Sequence, residues 1–240
     1  MKLILSTIIC IAVGLLIVTC SKNNNSQNDG LQNTPTAKAT YDNSNYGIYK
    51  GIFVGSTGYV IININNDNTV SATLKIDGIT YNFTSSQTIQ LNQPASINFI
   101  SGANSFTFSV AANGANPAIS NLVISGHPAA AIAVLKESSS ELVEVFEGTY
   151  AENAVGGELG AFNLAIKGNE VVGIAHDSQQ LYNYTIAGTV SNNHINAVVS
   201  PGGSIVEGTI SGADDNNISG TYSATATGGT PGTWSGKRTL

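Results

Sequence analysis

YNYTIAGTV, residues 182–190, alternates along its whole length. Tyr182, Tyr184, Ile186, Gly188 and Val190 fall on one side, and Asn183, Thr185, Ala187 and Thr189 on the other. Successive side chains of an extended chain point to opposite faces, so the stretch reads as a strand with one face buried and one wet. GAFNLAIKGN, residues 160–169, does the same, with Phe162, Leu164 and Ile166 opposite Asn163, Ala165 and Lys167. Turn-forming residues separate such runs: KGN at 167–169, SNN at 191–193 and ADDNN at 213–217.

Working outward, the same pattern fills the chain from Tyr46 onward. Beyond Glu144, about eight strands are expected, starting near Val145, Ala161, Val171, Tyr182, His194, Ser204, Ile218 and Gly232. From Gly47 to Glu137, about eight more begin near Gly47, Tyr59, Val70, Ile79, Ser96, Ser105, Ala118 and Ala130. Short turns at this spacing imply antiparallel meanders, and eight antiparallel strands can close into a barrel that leaves no open edge. The expected fold class is therefore all-β, with two tandem eight-stranded small β-barrels. One larger barrel or a pair of β-sandwiches is the alternative. The expected domains are an N-terminal β-domain at 46–137, a linker at 138–144 and a C-terminal barrel at 145–240. One stretch departs from period two. SSSELVEVFEG spaces Leu142, Val145 and Phe146 as a helix would, although the same letters make a linker followed by a strand. The halves also share a pattern. Residues 47–74 and 148–175 each open on Gly-x-Tyr and continue through a Gly-rich bend, an amphipathic strand, an Asn-rich turn and a second apolar strand, which reads as a weak internal repeat. A wet face dense in Thr, Asn and Ser argues against an outer-membrane channel, whose outer face would be an apolar band.

Composition narrows the function classes. The chain has 240 residues, a net charge of −6 and only 10% charged residues, against a typical quarter. Disorder pairs low hydrophobicity with high net charge, and this chain has neither. Its single arginine, Arg238, and scattered lysines give no cationic cluster, so nucleic acid is not an expected partner.

The N-terminus reads as a targeting segment. MKLILSTIICIAVGLLIVTC has one early lysine and an apolar run from Leu3 to Val18, the length of a signal-peptide core, followed by a polar stretch. Its end, IVTC, resembles the bacterial lipobox, with Ile17, Val18 and Cys20 in the pattern. Thr19 departs from it, since Gly, Ala or Ser is usual there. The resemblance implies a signal peptide at 1–19 and a lipid-modified Cys20 as the first mature residue, attached to a membrane by acyl chains. Two or more chains make such an anchor stable. Cys10 would leave with the signal peptide, so the mature chain would have no internal disulfide. Residues 20–45 lack apolar periodicity and are expected to be a flexible tether. The expected location is the bacterial cell envelope, by default the outer membrane, with the periplasmic or surface face open.

Gly-Thr pairs on expected strands begin at Gly148, Gly188, Gly208, Gly220 and Gly232. On a strand, Gly208 shares a face with Val206 and Ile210, Gly220 with Ile218 and Tyr222, and Gly232 with Trp234. Inward glycines let a sheet bend and make room for a ring from a neighbouring strand. No strand-to-helix turn with a following Lys and Ser or Thr surrounds them, so they are not a phosphate cradle. The GTY and GTW stretches resemble strand openings of avidin-like and lipocalin-like small barrels. The resemblance covers triplets only, Trp234 is the only tryptophan, and no ligand residues carry over.

Nothing in the sequence spells a catalytic centre. No HExxH, GxSxG or metal-spaced histidine pair is present. His127, His176 and His194 read as surface residues at turns or strand ends. Glu137, Glu141, Glu144, Glu147, Glu152 and Glu158 read as a solvated interdomain run. Asp214, Asp215, Asn216 and Asn217 form the one calcium-like candidate, although such turns are common without metal. Loop contacts to a partner are expected around Asn113, Asn116 and His127, because barrels of this size are expected to be packed solid. The functional expectation is a membrane-anchored, non-catalytic envelope lipoprotein that binds a small ligand, glycan or protein, with no cofactor and no metal. A structural or envelope-assembly lipoprotein without a ligand, or a hydrolase with an unrecognised site, is the alternative.

Overall fold

The computed structural model describes residues 31–223 and 230–240. The expected signal peptide and Cys20 lie outside the described residues. Eight strands make the first unit: β1 (Gly47–Val54), β2 (Gly58–Ile64), β3 (Val70–Ile76), β4 (Ile79–Thr84), β5 (Ala95–Ser101), β6 (Asn104–Val110), β7 (Ala118–Val123) and β8 (Ala131–Lys136). Eight make the second: β9 (Val143–Glu152), β10 (Leu159–Lys167), β11 (Glu170–Asp177), β12 (Tyr182–Ser191), β13 (His194–Ser200), β14 (Ile205–Ser211), β15 (Asn217–Tyr222) and β16 (Gly232–Arg238). Each expected strand start lies within two residues of an observed one.

Both units are up-and-down antiparallel meanders. In the second, β16 pairs back onto β9 and closes the barrel. In the first, β8 pairs onto β1, while β7 and β8 run side by side without a ladder, so this barrel is nearly closed. Asn121 explains part of the gap. It sits at φ 50, in the left-handed region, and the β6–β7 register slips beside it. The stretches 47–74 and 148–175 fall on corresponding parts of the two meanders, the first three strands of each.

The first barrel is filled by rings. Phe106 lies 5.1 Å from both Phe83 and Phe99, and Tyr49 lies 4.8 Å from Phe108. Residues 85–94 cover one end. β4 and β5 share only the Thr84–Ile100 pair, and the Gln87 amide stands in for the missing partner by donating to Ser96 O and accepting from Asn98 N. Ile89 is buried beneath this cover, with Tyr46 Oη donating to its carbonyl at 2.7 Å.

The second barrel holds Phe146, Phe162, Leu164, Ile186, Ile195 and Val206 around Trp234. The indole stacks on Phe162 at 4.8 Å and donates to Thr221 O at 3.1 Å. Glycine is required below it: a Cβ on Gly208 would lie 2.3 Å from the indole Cζ2, and one on Gly220 would lie 2.7 Å from it. The expected role of these two glycines holds.

Two expectations fail for one reason: the barrels pack side by side. Ile52, Val54 and Leu135 from the first meet Val143, Val145, Ala165, Ile174 and Leu240 from the second in a shared apolar layer. Asn163 and Ala165, expected to be wet, are buried there, and Asn163 donates to Phe53 O across the boundary at 2.8 Å. In SSSELVEVFEG the reading as a linker followed by a strand holds, and its helix-like spacing belongs to β9. Val143 and Val145 face the other barrel while Phe146 faces inward, so both sides are apolar and period two disappears. Glu137, expected to be solvated, is wholly buried and ion-paired with Lys50.

Residues 31–45, read from sequence as tether, are packed against this junction. Glu137 accepts hydrogen bonds from Thr36 N, Ala37 N and Val143 N, so one carboxylate ties the segment to β9. Gln32 accepts from Lys50 Nζ, and Arg238 donates to Asn33 Oδ1 and Gln32 O. Lys136 Nζ donates to the carbonyls of Tyr41, Asp42 and Ser44.

Candidate functional site

The second barrel is not packed to its ends. At one mouth, where β9, β11, β13 and β15 finish and β10, β12, β14 and β16 begin, a cavity of about 290 Å³ opens. Strand alternation sets its walls. Tyr150 and Glu152 follow Phe146 inward on β9, Glu158 precedes Phe162 inward at the start of β10, and Tyr184 precedes Ile186 on β12. Ala175, Val199, Val206 and Tyr222 complete the lining. The result is an aromatic chamber with two carboxylates at its rim. The rings of Tyr150 and Tyr222 meet edge-on at 6.0 Å.

A third carboxylate lies beneath. Asp177 ends β11, two residues beyond Ala175 on the same inward face, and is wholly buried. Its Oδ1 accepts from the backbone N–H of Gln179 at 2.7 Å and of Gln180 at 3.1 Å. Its Oδ2 finds no donor among the described residues unless Glu158 carries a proton to share with it. The Tyr222 hydroxyl is likewise without a partner among the described residues.

The mouth is strongly negative. Between Glu137 and Gly236 the only lysine or arginine is Lys167, at the far end of β10. Burial, then the charges of Asp177 and Glu152, hold the Glu158 carboxyl above the usual carboxylate range. Burial and the neighbouring carboxylates push the Tyr222 phenol up to about 12 and raise those of Tyr150 and Tyr184. Three phenols and a carboxyl all resist further negative charge. Val155, Leu159, Leu181 and Ile205 stand exposed at strand ends and loops around this mouth.

Of the residues singled out in the sequence, Glu152 and Glu158 line this mouth instead of a solvated interdomain run, and the others lie elsewhere. Asn113 and Asn116 are exposed in the β6–β7 turn, whereas His127 is in the β7–β8 turn at the other end of that barrel, its Nδ1 3.3 Å from Gly55 O. The fold does not bring them together. His194 is exposed at the start of β13, but His176 is buried, its Nδ1 2.7 Å from Asn183 Oδ1. Asp214 and Asp215 are exposed in a turn at φ 66 and 55, and no group of three acid, histidine or cysteine side chains placed to hold a metal occurs among the described residues. The cavity residues were hidden because alternate strand ends supply them across some 70 positions. The available signal was the charge bias: acids and tyrosines at strand ends in a stretch almost free of lysine and arginine.

No protein-family model matches the chain, and no curated protein matches its sequence. Among solved structures, a surface lipoprotein aligns with a TM-score of 0.32 and 10% identity, over 80% of this chain and 98% of its own. The vaccine antigen transferrin binding protein B (TbpB) of Actinobacillus pleuropneumoniae H49 aligns with a TM-score of 0.32 and 11% identity, over 80% of this chain and 99% of its own. At these values the likeness lends this chain no property of either protein.

Proposed function

We propose that this chain is a lipid-anchored envelope protein that binds a small ligand, without transforming it, in the mouth of its second barrel. The observation that carries this reading is the cavity itself. The first barrel is filled with phenylalanine, whereas the second leaves an aromatic-walled chamber whose buried Tyr222 hydroxyl lacks a partner among the described residues. Apolar walls with a few placed polar groups are the usual make-up of a ligand site, and ~300 Å³ is the small end of their range. The lipobox-like IVTC motif supports attachment through Cys20.

The Glu158–Asp177 pair also has the make-up of a hydrolytic acid and base, one carboxyl raised beside another. Asp177, however, is sealed from solvent and held by two backbone N–H groups, and a catalytic base must reach its substrate. Binding is therefore the better supported reading.

A ligand-observed NMR screen of the full chain against a small-molecule library tests it, with Ser204→Trp as the blocked control. Ser204 lines the mouth and is half-buried. Hits that disappear in Ser204→Trp, at an unchanged melting midpoint, are the expected result. An empty screen, or hits indifferent to the block, would overturn the reading.

A further inference from the structure

The chemical class of the ligand follows from what lines the cavity, and this step rests on the binding reading above. We propose that the mouth of the second barrel takes an organic ammonium group, seated against Tyr150, Tyr184 and Tyr222 and held by the carboxylates of Glu152 and Glu158.

Two independent observations converge on a cation. First, the inward-facing charges at this mouth are all carboxylates, with no basic side chain among the described residues to offset them. Like charges gathered in a poorly solvated site cost free energy that a bound cation removes. Second, the walls are aromatic. The faces of tyrosine rings attract a cation within about 6 Å of their centres, and desolvation strengthens the attraction.

The same observations choose an organic cation over a metal ion. A divalent metal needs several oxygen ligands at about 2.0–2.6 Å, and no such convergence of three acids occurs among the described residues. Aromatic walls offer a metal ion nothing comparable, whereas they fit the diffuse charge and apolar surface of an alkylammonium. The space limits the guest to a small molecule or to the tip of a larger one.

Calorimetric titration of the full chain with choline, and with its uncharged carbon isostere 3,3-dimethylbutan-1-ol, separates charge from shape. Choline is expected to bind about tenfold or more tightly than the isostere, the order set by a desolvated cation–aromatic contact with a nearby carboxylate. Glu158→Gln and Glu152→Gln are each expected to weaken choline severalfold and leave the isostere unchanged. Using both variants keeps the test valid if one loses its fold, which melting reports. Equal binding of choline and isostere would overturn the ammonium assignment while leaving the cavity reading intact. So would no choline binding by a chain whose screen hits are blocked by Ser204→Trp. If the screen is empty as well, both readings fall.

Discussion

Glu158 is placed where function and stability pull apart. Burial raises its carboxyl, the charges of Asp177 and Glu152 add to this, and the hydrogen bond from Gln180 opposes it. A carboxyl whose folded value lies above its unfolded one binds its proton more tightly in the folded chain. Stability is then lost as pH rises from the ordinary glutamate value, about 4.3, through the raised one. Glu158→Gln removes that penalty. The variant is expected to melt higher than the parent at pH 7.5 and level with it near pH 3, where both side chains are neutral. Thermal scans at the two values check this. A lower midpoint at pH 7.5 would contradict the placing of Glu158 in a negative, half-buried mouth. Gain in stability with loss of cation binding is the trade-off expected of a binding site.

At the scale of elements, the Lys50–Glu137 pair joins three pieces: β1, the start of β9 and the packed segment 31–45. Removing one member of a buried pair leaves the other charge uncompensated, whereas removing both is much milder. Glu137→Gln is expected to cost about 3–5 kcal/mol, and the double change Lys50→Met with Glu137→Leu distinctly less. Urea unfolding of the two variants measures the difference. An equal loss in both would mean that the pair contributes packing alone. This joint also marks the limit of sequence reading. β10 alternates in sequence although Asn163 and Ala165 on its outer face are buried, and a strand with one wet face, such as β12, announced itself by alternation. β1 and β9 did not, because a second barrel covers their outer faces and makes both sides apolar. Lys50, inside GIYKGIFV of β1, is 1% exposed. The cavity was less legible still. Its tyrosines and glutamates are ordinary strand-end residues, and only closure of the barrel brings them to one place.

At the scale of the whole molecule, the two ends of the second barrel differ. The segment entering from the N-terminus meets Arg238 and Lys50 at one end, while the cavity opens at the other, where β16 begins and β9 finishes. If Cys20 carries the anchor, about ten residues separate it from the packed segment, at most roughly 35 Å of extended chain. The mouth would then open away from the membrane, toward whatever diffuses past. Palmitate labelling of cells expressing the chain is expected to mark the parent and spare Cys20→Ala. Equal labelling of both would remove the anchor and this orientation with it. The barrels thus divide the work: the first is solid and braces the second, whose free end stays hollow.

Amide chemical-shift mapping of the full chain, titrated with a hit from the blocked-mouth screen, tests the central claim most directly. The largest shifts are expected at Tyr150, Glu158, Ala175, Tyr184 and Tyr222, with the first barrel silent. Shifts gathered instead along the groove between the barrels, at Thr57, His176 and Leu181, would contradict a ligand site in the mouth of the second barrel.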